Sequence, residues 1–194
     1  MSILFLQEAR LSSLVIRNRR KKEEPTGETI TVDKELAIKI SRQQQAILQA
    51  LGNNEETIAR LYRALAKKFP GYKDVWAKLA AEEEEHARIF DEMAGQLVKD
   101  NIVLCGLEGL GRKDTAKITS LIENHLTRVI QGQMNLPTAI AAALSIEQSL
   151  IESPLFKQLW APSDDLDNKL QRIKLETTSH RQTLESMLDT LHNT

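Results

Sequence analysis

Glu55 leads Ile58, Ala59, Tyr62, Leu65, Ala66 and Phe69 at helical spacings. That pattern puts its carboxylate on the apolar face of a helix, while the neighbouring Glu56 falls beside Arg60 and Arg63 on a polar face. Glu147 lies in the same way among Ile140, Ala143, Leu144, Leu150 and Ile151. A carboxylate among hydrocarbon neighbours is costly unless a cation or a proton neutralises it. A chain that keeps two such acids must fold so that something neutralising reaches both.

The rest of the sequence reads as helix. No segment alternates apolar and polar residues as a half-buried strand would. Aromatic residues make up only 4%, and Ala, Leu, Ile, Gln, Glu and Lys are plentiful, which favours helices. Asp33 is placed to cap a helix from about Lys34, with Leu36, Ile40, Ile47, Leu48 and Leu51 on one face. Gly52-Asn53-Asn54 either ends that helix, with Asn54 capping a new one, or is tolerated inside one long helix at about 1 kcal/mol. Phe69-Pro70-Gly71 ends the segment, and Asp74 opens a helix to about Lys99. Residues 100–113 read as a loop containing Gly106, Gly109 and Gly111. Further helices are expected at Thr115 to Ile130, from Pro137 to about Ser153, and from Leu166 to Leu191. Residues 1–30 form an N-terminal extension, a helix candidate followed by a basic cluster and a linker, and residues 31–194 form the main domain.

Within this frame, acids and histidines recur. Glu83 and His86 share a face with Leu79, Ala80, Ala87 and Phe90. Three residues apart, they are separated by about 60° around the helix and about 4.5 Å along it, so both can reach one metal ion. Glu176 and His180 accompany Ile173, Leu184 and Met187. Four residues apart, they are separated by about 40° and about 6 Å. The halves of the chain therefore repeat: Glu55, a helix end, Glu83 and His86; then Glu147, a helix end, Glu176 and His180. A duplicated helix pair of this kind builds a four-helix bundle with ligands entering from every helix.

These residues carry a resemblance to the ferritin-like superfamily, and within it to the rubrerythrin-type di-iron-carboxylate proteins. The stretch from Ala50 to Met93 carries most of it, with Leu61-Tyr62, Trp76-Ala77-Lys78-Leu79-Ala80 and Glu83-Glu84-Glu85-His86-Ala87. Residues 137–149 and 170–188 resemble the third and fourth bundle helices, so the likeness spans roughly 34–191 and is closer in the first half. It implies an all-α, ferritin-like four-helix bundle holding two iron ions that react with peroxide or oxygen, or that oxidise ferrous iron. Glu55, Glu83, His86, Glu147 and His180 are then the ligand positions. The sequence departs from the pattern at Thr177, where a glutamate is expected three residues before His180. Glu176 is displaced from that position by about 100°, and it reaches the site only if the helix rotates or bulges.

Composition limits the alternatives. Cys105 is the single cysteine, so neither an internal disulfide nor a cysteine-based zinc or rubredoxin iron site can form within this chain, and turnover with peroxide would need an external electron donor. A net charge of −1 gives no overall pull toward nucleic acid. No run of about 20 apolar residues suggests a transmembrane helix. The apolar residues 1–16 precede the basic cluster Arg17 to Lys22, the reverse of a secretory signal, so a cytoplasmic location is expected. The extension is expected to pack on the domain or on a second copy in a homodimer, or else to dock a partner or a membrane surface. His125 and His192 are expected to be exposed. The rival to a di-iron protein is a bundle with one metal or none, built as a binding or structural module, its acids and histidines paired with one another.

Overall fold

In a computed structural model, residues 34–105, 112–153 and 157–193 are described. The expected extension over residues 1–30, the cap at Asp33, the three loop glycines and Pro154 lie outside those residues. The described chain is all-helical. Its elements are α1 (Lys34–Lys68), a short 3-10 turn (Pro70–Tyr72), α2 (Lys73–Asp100), α3 (Arg112–Ile130), α4 (Leu136–Glu152) and α5 (Asp164–His192).

Gly52-Asn53-Asn54 does not break α1, which runs through as one helix. Gly52 faces α2 so closely that a Cβ there would lie 3.3 Å from the Ala87 carbonyl oxygen and 3.4 Å from the Phe90 Cβ. Asn54 is buried, and its side-chain oxygen accepts a hydrogen bond from the Thr119 hydroxyl at 2.7 Å, which ties α3 to α1. Both residues thus serve contacts between helices rather than a helix end.

The other boundaries follow local chemistry. Pro70 opens the tight turn that reverses α1 into α2. Asn101 closes α2 in the left-handed region, at φ 52°, with its N–H on the Leu97 carbonyl. Asn135 caps α4 by accepting from the Thr138 N–H at 2.9 Å, with Pro137 in the first turn. Ser163 caps α5, where Asp164, Asp165 and Asp167 place negative charge at the positive end of the helix dipole.

Helix α1 packs along α2, and α4 along α5; α2 also touches α5, and α3 leans on α1 and α4. Trp76, Tyr62, Phe90, Ile58 and Met93 fill the interior with almost no exposure. Burying an apolar side chain of this size contributes about 1.5–3 kcal/mol. The connections are held as well. Gln44 clamps the backbone of Leu104 through both of its amide atoms, at 2.9 and 2.8 Å. Cys105 and Trp160 exchange two backbone hydrogen bonds as an isolated antiparallel bridge, while no strand occurs among the described residues. No described helix is long and apolar enough to cross a membrane.

Candidate metal centre

The helical register of each element turns its acid or imidazole inward. Glu55 comes from α1, Glu83 and His86 from α2, Glu147 from α4 and His180 from α5, and none is more than 2% exposed. Their ligand atoms form two overlapping groups, Glu55 with Glu83 and His86, and Glu83 with Glu147 and His180. Within each group these atoms lie within 4.8 Å of one another, and each group could hold a metal ion.

Glu83 belongs to both groups and sits between the two imidazoles. Its Oε2 is 3.0 Å from Nδ1 of His86, and its Oε1 is 2.8 Å from Nδ1 of His180. The two rings stack at 5.6 Å with an interplanar angle of 24°. Oε1 of Glu147 lies 3.7 Å from Nδ1 of His180 and accepts a hydrogen bond from the Tyr62 hydroxyl at 2.5 Å. Neither oxygen of Glu55 has a hydrogen-bond partner among the described residues, nor does Oε2 of Glu147.

Those three bare oxygens are the test of fit for a cation. An unsatisfied buried acceptor costs about 1–3 kcal/mol, and more when charged. Three carboxylates also face only two imidazoles, so even full protonation of both rings leaves the pocket short of positive charge. Carboxylate oxygens with imidazole nitrogens are a donor set suited to iron, manganese or zinc.

The proton affinities register the same imbalance. Burial, and then the charge of Glu83, raise the Glu55 carboxyl well above its ordinary range. Burial and Glu83 also raise Glu147, against the opposing pull of His180 and Tyr62. Burial pushes Glu83 up too, but hydrogen bonds and charge from His180 and His86 outweigh it and hold Glu83 at about 2. Burial disfavours the charged form of His180, yet Glu147 and Glu83 lift it to about 10. His86 is raised in the same manner, with burial opposed by Glu83 and Glu176.

Glu176 departs from its expected place. Its carboxylate is partly exposed and does not join the converging ligand atoms. Oε2 instead meets the outer nitrogen of His86, Nε2, at 2.8 Å, and Oε1 accepts from Arg172 at 3.0 Å. The 100° displacement from position 177 is not undone by any rotation of α5. Thr177 itself is buried, and its hydroxyl donates to the Ile173 carbonyl at 2.9 Å, so α5 offers no carboxylate at that position.

Glu82, which the sequence places in a solvated acidic run, meets the outer nitrogen of His180 at 3.1 Å. A signal for it exists: Glu82 precedes His86 by the same four residues that separate Glu176 from His180. His125 is half-buried rather than exposed; its Nδ1 has no partner among the described residues, and burial followed by the nearby Arg128 lowers its proton affinity. His192 is exposed.

Set against protein-family models, curated proteins and solved structures, the chain matches none.

Proposed function

We propose that this chain is a ferritin-like di-iron protein of rubrerythrin type, with α1, α2, α4 and α5 as its four-helix bundle. The observation that carries the reading is the position of Glu83, one carboxylate shared by two acid–imidazole groups whose remaining acids keep three oxygens bare. Glu55 and His86 would hold one ion, Glu147 and His180 the other, and Glu83 would bridge them. Iron held by such ligands supplies one-electron redox steps and open positions for a small oxidant such as peroxide or oxygen, or for oxidation of ferrous iron itself.

The chain's own residues do the rest. The apolar packing around the five ligands keeps bulk water from the pocket and strengthens every charge interaction inside it. Tyr62 holds a proton at its hydroxyl oxygen against Oε1 of Glu147 and so orients that carboxylate. A single cysteine leaves no cysteine-ligated cluster within this chain to deliver electrons, so on this reading reduction calls for an external donor.

One observation favours a second reading. Both imidazoles already bond Glu83, as they would in a metal-free module whose acids and histidines pair with one another. Anaerobic reconstitution with ferrous iron followed by metal analysis decides among the readings. Two irons per chain support the di-iron protein. One iron points to a single-metal site of Glu55, Glu83 and His86. None leaves a metal-free binding or structural bundle.

A further inference from the structure

Glu82 and Glu176 occupy matching positions, each four residues before a histidine of its own helix. Neither bonds that histidine. Glu176 of α5 reaches across to Nε2 of His86 on α2, and Glu82 of α2 reaches across to Nε2 of His180 on α5. The two contacts, at 2.8 and 3.1 Å, cross the same helix interface in opposite senses. Both carboxylates sit at the rim, with side chains 29% and 32% exposed, while the imidazoles they touch are buried. Each is held from outside by a cation: Glu176 by Arg172 at 3.0 Å, and Glu82 by Lys78 at 3.8 Å. This exchange relates the halves more regularly than the ligands do, because Glu83 and Thr177 stand at equivalent positions and differ.

An imidazole that ligates through one nitrogen is fixed in tautomer and ring orientation by the acceptor on its other nitrogen. Here both inner Nδ1 atoms face Glu83 and both outer Nε2 atoms face a carboxylate of the opposite helix.

We propose that Glu82 and Glu176 are the positioning residues of the metal centre. Each accepts the outer N–H of the other helix's histidine, so that Nδ1 is presented to the ion and α2 is tied to α5. With only one bridging carboxylate available, this crossed pair supplies the restraint that a second bridge would give. The inference rests on the metal-centre reading and extends it to two residues outside the ligand set.

The test is anaerobic titration of the full chain with Co(II), followed by visible absorption for coordination and by metal analysis for stoichiometry. Wild-type protein should bind two ions. Glu176→Ala and Glu82→Ala should still bind two, with one ion weakened by about 10- to 100-fold and its absorption band altered. Glu176→Gln and Glu82→Gln keep an acceptor oxygen of nearly the same shape and should recover most of the affinity and the band. They also serve if an alanine variant does not fold. A drop to one ion on substitution would make the residue a ligand and overturn the proposal, as would an affinity and spectrum identical to wild type. A wild-type chain that binds no Co(II) would instead defeat the metal-centre reading, a result distinct from either of these.

Discussion

The hydroxyl of Tyr62 on α1 meets Oε1 of Glu147 on α4 at 2.5 Å, joining residues 85 apart in sequence inside the core. Burial and the charges of Glu147 and Glu83 push the phenol well above its ordinary range, so Tyr62 stays a donor at every ordinary pH. Tyr62→Phe removes the donor, so that all four carboxylate oxygens of Glu55 and Glu147, rather than three, lack a hydrogen-bond partner among the described residues. Metal-depleted protein should lose about 1–3 kcal/mol by urea unfolding. Metal-loaded protein should lose less, because an ion can take over the exposed oxygen.

Glu83 is common to both ligand groups, whereas Glu55 and Glu147 each belong to one. Glu55→Ala and Glu147→Ala should each leave one ion per chain. Glu83→Ala should abolish stable binding of both, since each group loses its shared carboxylate. Metal analysis after anaerobic loading reads all three, and equal stoichiometry across them would contradict the shared role of Glu83.

Helical periodicity alone was enough to place Glu55, Glu83, His86, Glu147 and His180 on apolar faces, because an acid among aliphatic neighbours is visible in one dimension. Contacts made across helices are not. Glu82 looks like one more member of an acidic run until α5 brings His180 against it. Glu176 falls on the wrong side of its helix for a ligand and on the right side for the outer nitrogen of His86. Gly52 and Asn54 carry loop-like propensities, yet α1 continues because a close approach to α2 and a bond to Thr119 use both residues. The backbone pairing of Cys105 with Trp160 has no periodicity to announce it.

Stability of the metal-depleted protein should peak at mildly acidic pH. Glu83, held at about 2, contributes stability that is present above its ordinary value of 4.5 and lost as pH falls through 2. His180, lifted to about 10, contributes stability that is complete below its ordinary 6.5 and lost as pH rises toward 10. Glu55 and Glu147, both raised, also destabilise the fold as pH climbs above 4.5 and they are driven toward ionisation. An ion needs the opposite protonation, with neutral Nδ1 atoms and charged carboxylates, so loading releases protons and tightens as pH rises. The melting-temperature difference between Zn(II)-loaded and chelated protein should therefore widen from about pH 5 to about pH 8. A difference that narrows over that range would count against ligation by these groups.

Gly52 sits tightly against α2, with the Ala87 backbone and the Phe90 Cβ facing it rather than the far end of a flexible side chain. A leucine there must push the helices apart, and overpacking of this kind costs about 1–3 kcal/mol. Because Glu55 lies less than one turn further along α1, the same shift should weaken metal loading. Gly52→Leu should lower both the urea midpoint and the Co(II) affinity, while a leucine at the exposed Gly95, where a Cβ meets nothing within 4 Å, should raise the midpoint slightly through its better helix propensity and leave the affinity unchanged.

Thr177 is the one position at which the two halves of the centre differ in ligand chemistry. It is buried, lies three residues before His180 on α5, and spends its hydroxyl on the Ile173 carbonyl. Thr177→Glu would add a fourth carboxylate to a pocket that already lacks positive charge. Metal-depleted protein should then be destabilised, since the new group must be buried charged or take up a proton. With two ions present the same carboxylate can bridge them opposite Glu83 and recover that cost through ligation. The expected signature is a lower melting temperature without metal and a larger rise on loading than wild type shows. If the variant is destabilised with and without metal by the same amount, position 177 does not look onto the ions.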